Sequence, residues 1–318
     1  MKAIVCTKYG PPDVLQFKEV EKPVPNDGEI LVKIHAASLN TLDLATRGPF
    51  LARIITGGLR KPKDPRVGAD IAGRVEAVGN NVTQFQPGDE VFGAYKGGFA
   101  EYVSVPENRV ALTPINSSFE EAASAPVAAF TALQGLRDKG HIQPGQKVLI
   151  HGASGGVGTF AVQLAKAFGA EVTAVCSTRN VDLARSIGAD HVIDYTQEDF
   201  TRNGQRYDLI LAVNGYHPIF AYRHALRHTG RYVLVGGSKV HLYQALLLGP
   251  VISRTGKQKM GFMGIAKINQ KDLVYVKELL EAGKVTSVID RRYPLRETAE
   301  ALRYLEEGHA RGKVVITI

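Results

Sequence analysis

The first third of the chain alternates short apolar or β-branched runs with turn residues. Apolar side chains at every second position suit a strand with one buried face, and Gly, Asn and Pro between the runs suit turns. The predicted strands are Ile30 to His35, Ile71 to Val78, Asp89 to Phe92 and Glu101 to Val105. This pattern predicts an antiparallel β domain.

The sequence pattern changes near Glu120, where an Ala-rich segment typical of a helix runs to Leu136. Strands and helices then alternate, and the strands are continuous apolar runs. The predicted strands are Lys147 to His151, Glu171 to Cys176, His191 to Asp194, Leu209 to Val213 and Arg231 to Val235, and the helices are Gly156 to Phe168, Val181 to Ile187 and Phe220 to Leu226. Such alternation predicts a Rossmann-type, doubly wound parallel sheet covered on both faces.

The last fifty residues change pattern again. Two amphipathic helices, Asp272 to Ala282 and Glu297 to Glu307, flank the segment Ser287 to Pro294, and a strand from Lys313 to Ile318 closes the chain. We expect this tail to return to the first domain. The predicted class is α/β, with residues 1–122 and 266–318 in one domain and 123–265 in the other.

Composition narrows the class of protein. The 318 residues are 44% hydrophobic and 22% charged, which is close to average globular usage and excludes a disordered or fibrous chain. The two cysteines, Cys6 and Cys176, cannot form a disulfide framework or a four-thiolate zinc site, so we expect a reducing, cytoplasmic location. No apolar run reaches the roughly 20 residues of a membrane span, and the N-terminus lacks a signal-peptide pattern. The net charge of +8 suggests an anionic ligand.

A glycine-rich loop follows the strand that ends at His151. Its sequence, HGASGGVG, matches A-x-G-x-x-G between a strand and a helix, which is the context that a dinucleotide fingerprint requires. The predicted cofactor-binding residues here are Ala153, Gly155, Gly156, Val157 and Gly158. The structural alternative is a tight turn that binds nothing.

The end of the next strand indicates which dinucleotide binds. An acidic residue there would bind the ribose 2′-hydroxyl of NAD, whereas small hydroxyl residues with an arginine suit a 2′-phosphate. The residues present are Ser177, Thr178 and Arg179, so the sequence favours NADP(H). Alternatively, Ser177 and Thr178 cap the following helix and Arg179 is solvated.

Several stretches together resemble one family, the zinc-independent quinone oxidoreductase branch of the medium-chain dehydrogenase/reductase superfamily. They occur in the family's order over nearly the whole chain. They are Ser38 to Asp43, Val67 to Gly73, Phe85 to Val91, Gly97 to Tyr102, the glycine loop and Gly312 to Val315. The resemblance implies a GroES-like β domain built from both chain ends, an inserted Rossmann domain, and a homodimer.

Departures from the zinc-dependent members of that superfamily indicate the chemistry. Their catalytic zinc ligands would fall at Asn40 and at Ala69-Asp70, and the region from Ala125 to Ala129 offers no later ligand. Because zinc prefers thiolate and imidazole ligands, we expect no metal site. The predicted activity is therefore NADPH-dependent hydride transfer to a quinone or an α,β-unsaturated carbonyl, which needs no metal.

The resemblance also implies individual roles. Asn40 would lie near nicotinamide and substrate and Asp43 near the cleft, as the two catalytic candidates, and Thr131 would lie near the nicotinamide ring. Ser177, Arg179 and Tyr195 match positions that hold the 2′-phosphate side. The alternatives are that Asn40 and Asp43 only shape their turn and that Tyr195 is a packed strand end.

Two further expectations concern ligands. Apolar residues in 48–63 and 240–268 should line a pocket for a small apolar acceptor; they are Phe50, Leu51, Ile54, Ile55, Leu246 to Leu248, Phe262 and Met263. The alternative function is an NADPH-binding protein with little turnover that acts as a redox sensor or RNA-binding module. The basic residues of this chain are scattered and lack interleaved aromatic residues, so nucleic acid is not the expected partner.

Overall fold

The computed structural model describes residues 1–45 and 61–318. The strands are β1 Lys2–Cys6, β2 Leu15–Glu19, β3 Glu29–Ser38, β4 Asp70–Val78, β5 Glu90–Ala94, β6 Tyr102–Pro106, β7 Val110–Leu112, β8 Lys147–His151, β9 Glu171–Cys176, β10 His191–Asp194, β11 Tyr207–Ala212, β12 Leu226–Leu234, β13 Lys259–Phe262, β14 Ile289–Pro294 and β15 Lys313–Thr317. The α-helices are α1 Thr41–Ala45, α2 Phe119–Ser124, α3 Pro126–Gln134, α4 Gly156–Ala167, α5 Val181–Ser186, α6 Ile219–Ala225, α7 Lys239–Thr255, α8 Gln270–Glu281 and α9 Thr298–Glu306.

The described chain divides into two compact units. The terminal unit contains residues 1–128, 268–283 and 287–318, and the inserted unit contains residues 129–267 and 284–286. Each has its own hydrophobic core. No helix among residues 1–45 and 61–318 is long and apolar enough to cross a membrane.

The inserted unit is built on a six-stranded sheet in the order β10-β9-β8-β11-β12-β13, in which every neighbouring pair is parallel. Counted from β8, this is the Rossmann order, in which the chain starts in the middle of the sheet and extends it in both directions. Buried apolar residues fill the strands because both sheet faces are covered. The prediction of a doubly wound Rossmann sheet is confirmed.

The terminal unit contains a seven-stranded sheet in the order β14-β15-β3-β4-β5-β7, with β6 also paired to β3. The closing strand β15 pairs antiparallel with β3, so both ends of the chain contribute, and the GroES-like prediction is confirmed. Ser38, at the end of β3, lies opposite Val315 of β15 on one side and Asp70 of β4 on the other. The adjoining ends of three strands therefore meet at one place.

Two helical segments differ from their predictions. The predicted helix from Glu120 to Leu136 is divided into α2 and α3, because Pro126 has no N–H to continue the first helix and instead begins the second. Helix α7 was not predicted, because Pro250 interrupts its apolar run. Gly249 lets this helix approach β13 closely, since an added Cβ would lie 2.7 Å from the Met260 carbonyl oxygen.

Candidate cofactor and substrate site

The glycine loop joins β8 to α4 and is fastened to the end of β9. The amides of Gly152 and Ala153 both donate to the Val175 carbonyl oxygen, at 3.2 and 3.1 Å. Gly152 has a φ of +86°, a left-handed conformation that favours glycine. The loop therefore has a fixed path, set by hydrogen bonds and by one residue without a side chain.

Gly158 and Gly155 serve different purposes in this loop. A Cβ on Gly158 would lie 2.0 Å from the Gly152 carbonyl oxygen, so glycine is needed for the helix to pack against the loop. A Cβ on Gly155 would meet nothing nearer than that same oxygen, at 3.9 Å. Protein packing does not require glycine at 155, and the space beside it is open.

The start of α4 is suited to an anion. Its N-cap, Gly155, provides no side-chain cap, and its first turn contains no acidic residue. The first amides of a helix lack intrahelical acceptors and point along the positive end of the helix dipole, where phosphate is favoured. The open space at Gly155 and these amides together form a cradle for a pyrophosphate.

Asn180 connects the two loops of this region and was not predicted. It is buried, and its Nδ2 donates to Ser154 Oγ at 3.0 Å and to Ser177 Oγ at 3.1 Å. It thereby ties the glycine loop to the residue that follows β9. Sequence periodicity gives no signal for this role, since it depends on a contact between two loops.

The predicted 2′-phosphate region has one feature that the sequence analysis missed, the carboxylate of Asp194 at the end of β10. Thr178 Oγ1 donates to Asp194 Oδ2 at 2.6 Å, and Thr196 Oγ1 donates to Asp194 Oδ1 at 2.8 Å. The hydrogen bond from Thr178 is the largest of several that hold the pKa of Asp194 below its ordinary value. Arg179 is exposed, Ser177 is half-buried, and Thr178 donates to Asp194.

Two tyrosines lie at this same edge of the parallel sheet. Tyr195 is 47% exposed and Tyr216 is 45% exposed, and their ring centroids are 5.9 Å apart. Tyr195 is thus neither buried nor isolated, and its partner Tyr216 was not predicted. The rings meet edge to face, with an interplanar angle of 68°, and both are half-exposed at this edge.

His151 is buried at the end of β8, and its ring centroid lies 4.5 Å from that of Tyr216. Its Nδ1 lies 2.7 Å from the Tyr222 hydroxyl, and Nε2 has no partner among the described residues. Burial lowers the pKa of His151 to about 3. The imidazole is therefore neutral near physiological pH and forms part of the core beneath the loop.

A second group of polar side chains lies in the terminal unit, where β3, β4 and β15 meet. Asn40, directly after β3, donates from Nδ2 to Asp70 Oδ2 at 2.9 Å. Ser38 Oγ donates to the same carboxylate oxygen at 2.7 Å. Lys313, at the start of β15, donates from Nζ to Asn40 Oδ1 at 2.7 Å and to Asp70 Oδ2 at 3.1 Å. All four residues are buried.

Asp43 contacts this buried group, and Thr131 lies on α3. The carboxylate of Asp43 accepts the Asn40 backbone N–H at 2.8 Å, which is the turn-shaping contact that the sequence analysis held as an alternative. The other oxygen of Asp70 accepts the Val127 N–H at 2.9 Å, at the start of α3. Thr131 is half-buried one turn further along α3 and belongs to the inserted unit.

The residues expected to line an apolar pocket fall into three sets. Phe50, Leu51, Ile54 and Ile55 lie outside the described residues. Leu246 and Leu247 are 48% and 70% exposed on α7. Leu248 and Phe262 pack against the core of the inserted unit, and Met263 is buried.

Two family models match the chain. The Alcohol dehydrogenase GroES-like domain matches residues 26–115, and the Zinc-binding dehydrogenase model matches residues 187–316. The described parts of the chain contain no group of three or more His, Cys, Asp or Glu side chains that could hold a metal ion.

Known relatives extend over the whole chain. The mitochondrial NAD(P)H oxidoreductase RTN4IP1 of Mus musculus is 35% identical, with 100% of this chain and 89% of the relative covered. The 2-methylene-furan-3-one reductase of Solanum lycopersicum is 37% identical, with coverage of 99% and 79%. Among solved structures, the Escherichia coli quinone oxidoreductase complexed with NADPH superposes with a TM-score of 0.86 at 25% identity, with 100% of both chains covered.

The two-unit fold, the glycine loop and these relatives define the class of protein. The chain belongs to the medium-chain dehydrogenase/reductase superfamily. Within it, this is an NAD(P)H oxidoreductase related to the quinone and enone reductases.

Proposed function

We propose that this protein transfers hydride from NADPH to a small apolar quinone or α,β-unsaturated carbonyl without zinc. The observation on which the proposal rests is the glycine loop. It leaves open space at Gly155 beside the uncapped amides of α4, while Gly158 is required by packing. A turn without a ligand would have no need for glycine at 155.

The cofactor fits the residues of the inserted unit. The amides of Gly155, Gly156 and Val157 would hold the pyrophosphate, with Ala153 and Gly158 fixing the path of the loop. When bound, the reduced nicotinamide supplies a hydride to the electron-poor carbon of the acceptor, and a proton from water completes the reduction. The protein's contribution is position and electrostatics.

The preference for NADPH over NADH is proposed from the end of β9. Ser177 and the exposed Arg179 can meet a 2′-phosphate with a hydroxyl and a positive charge, and the half-exposed ring of Tyr195 stands at the same edge. Asp194 opposes this preference, but hydroxyls of Thr178 and Thr196 donate to its carboxylate. The quinone oxidoreductase of Escherichia coli, which shares this fold, was crystallised with NADPH.

Zinc is implied by the description of the second family model, yet the residues present do not fit it. Zinc requires thiolate, imidazole or carboxylate ligands with free lone pairs. The positions expected to hold it are Asn40, Ala69 and Asp70. Ala69 has no ligand atom in its side chain, and the ammonium of Lys313 donates to Asn40 and Asp70, at 2.7 and 3.1 Å. A metal there would have to displace a buried cation, so we derive no step through zinc.

The proposed class of acceptor follows from the poor fit of zinc to Asn40 and Asp70, both of which accept from Lys313. An unactivated ketone needs a metal or a strong acid to polarise it, whereas a quinone or an enone accepts hydride because its own conjugation stabilises the product. The tomato relative is named as a reductase of 2-methylene-furan-3-one, which is an enone by its name. Asn40 is the proposed catalytic contact to nicotinamide and acceptor, with Thr131 beside the ring, and Asp43 holds the Asn40 backbone.

We further propose that the protein is a cytoplasmic homodimer. The family resemblance suggests the homodimer, and the low cysteine content suggests a reducing compartment such as the cytoplasm. Organelle location is part of the names of several relatives, including the mouse mitochondrial protein. Fractionation of the native host cell and sedimentation of the purified chain would test these two points.

The test follows NADPH absorbance with phenanthrenequinone and with medium-chain enones as acceptors. We expect turnover with at least one of them, higher kcat/KM for NADPH than for NADH, and no loss after dialysis against a zinc chelator. The same preparation is assayed for salt-dependent RNA binding. RNA binding together with absent turnover would contradict the proposal and favour the alternative of a binding module.

A further inference from the structure

The buried group at the ends of β3, β4 and β15 contains an ion pair that stability alone does not explain. The side chains of Lys313 and Asp70 are 3% and 0% exposed, and Lys313 Nζ lies 3.1 Å from Asp70 Oδ2. Removing two charges from water costs free energy that their attraction recovers only in part, and apolar residues of similar volume often serve as well. The pair is therefore better explained by what it does to the side chain between its two members.

That side chain is the carboxamide of Asn40. Its Oδ1 accepts from the Lys313 ammonium at 2.7 Å, and its Nδ2 donates to the Asp70 carboxylate at 2.9 Å. Rotation of the amide by half a turn would place the amide N–H groups against the ammonium and the amide oxygen against the carboxylate. Both charge-assisted hydrogen bonds would be lost and replaced by repulsion, so only one orientation is stable.

The backbone of Asn40 is held as firmly as its side chain. Asp43 accepts its N–H at 2.8 Å, and the preceding residue, Leu39, donates to the Val314 carbonyl oxygen at 2.9 Å. Because Val314 follows Lys313 directly, β15 fixes both the backbone and the amide of the same site. Asn40 thus has one backbone position and one amide orientation.

We propose that Lys313 is a positioning residue for the reduction, acting through Asn40. Its ammonium, balanced by Asp70, holds the Asn40 carboxamide in one orientation and occupies the place between the two side chains that a metal would have to bind. This inference rests on the proposed function. Lys313 itself is assigned no contact with substrate or cofactor.

The kinetic test is a double-mutant cycle. Lys313→Met keeps the length of the side chain and removes its charge, and Asn40→Ala removes the carboxamide. We expect Lys313→Met to lower kcat by about tenfold in the unchanged background with little change in the KM for NADPH, and by less than about twofold in the Asn40→Ala background. Equal losses in both backgrounds would show that Lys313 does not act through Asn40.

A second measurement keeps the inference separate from the proposed function. The side-chain NH2 signals of Asn40, assigned by their disappearance in Asn40→Ala, report its orientation by proton NMR without any substrate. We expect slow hydrogen exchange in the unchanged protein and at least about tenfold faster exchange in Lys313→Met. Unchanged exchange overturns the positioning role even if the enzyme is active, whereas absent turnover with the expected exchange difference overturns only the proposed function.

A matched variant guards against loss of folding. Lys313→Met alone leaves the Asp70 carboxylate buried with one donor fewer, so Lys313→Met/Asp70→Asn restores the balance of charge. We expect this pair to melt closer to the unchanged protein than Lys313→Met does and still to show the kinetic loss. Full recovery of kcat in the pair would contradict a role for the ammonium.

Discussion

Substitution of Gly155 by serine separates the stability of the glycine loop from its ligand-binding role. Gly155 has φ −83° and ψ 176°, an extended conformation that serine adopts readily, and it is the N-cap of α4, where serine is among the preferred residues. An added Cβ finds no atom nearer than 3.9 Å. We therefore expect Gly155→Ser to melt at the temperature of the unchanged protein or slightly above it.

The same substitution should weaken NADPH binding. The new side chain fills the space that the proposed pyrophosphate occupies and competes for the helix amides. A hydrogen bond to a charged acceptor contributes about 1.5–3 kcal/mol, so loss of one such bond raises the dissociation constant by about tenfold or more. Titration with NADPH, followed by the fluorescence of its reduced nicotinamide, measures the dissociation constant. Thermal melting of the same sample measures stability.

Gly158→Ala is the matched comparison for stability and should lower the melting temperature that Gly155→Ser leaves unchanged. Alanine gains roughly 1 kcal/mol of helix propensity over glycine. Its Cβ would lie 2.0 Å from the Gly152 carbonyl oxygen, however, and backbone cannot move aside as a flexible side chain would. Overpacking of this kind costs about 1–3 kcal/mol, so we expect a lower melting temperature.

Unchanged NADPH affinity in Gly155→Ser would refute the assignment of the loop as the pyrophosphate site.

Two further predictions concern residues beneath the same loop. Asn180→Ala removes two hydrogen bonds of about 0.5–1.5 kcal/mol each, so it should lower both the melting temperature and the affinity for NADPH. Asn81→Ala, at an exposed turn residue, should change neither, and equal behaviour of the two variants would contradict the connecting role of Asn180. Burial lowers the pKa of His151 from 6.5 to about 3. Below pH 6.5 the unfolded chain therefore takes up a proton at His151 that the folded chain does not. The free energy of unfolding should decrease as the pH is lowered from 6.5 to about 3. His151→Gln lacks this proton uptake, so its melting temperature should approach that of the unchanged protein as the pH is lowered from about 7 to about 5. A difference in melting temperature that stays constant over this pH range would contradict the lowered pKa of His151.

Periodicity predicted most of the fold because strand and helix patterns are local. The alternation after Lys147 located β8 to β12, with limits that shift by up to five residues, and the glycine loop between β8 and α4 was recognised from its context. Helix α7 was missed because the helix-breaking tendency of Pro250 is a local signal, whereas the close packing of Gly249 on β13 that accommodates the helix is not.

The site was predicted less completely, for the same reason. Asn40 came from the resemblance, but its partner Lys313 lies 273 positions away and was noted only as part of a matching stretch. Asp194 and Asn180 make their contacts through the ends of neighbouring strands, and no spacing within one element indicates such contacts. Side-chain chemistry can be recognised locally, whereas the groups that orient it are brought together only by the sheet topology.

The central claim is hydride transfer from NADPH to an electron-poor acceptor without zinc. It is tested most directly with NADPH deuterated at the transferred position, an enone acceptor, and protein whose zinc content has been measured after chelation. The account predicts one deuterium at the β-carbon of the reduced product and full activity with far less than one zinc per chain. Product without deuterium, or activity that disappears with the metal and returns with added zinc, would contradict it.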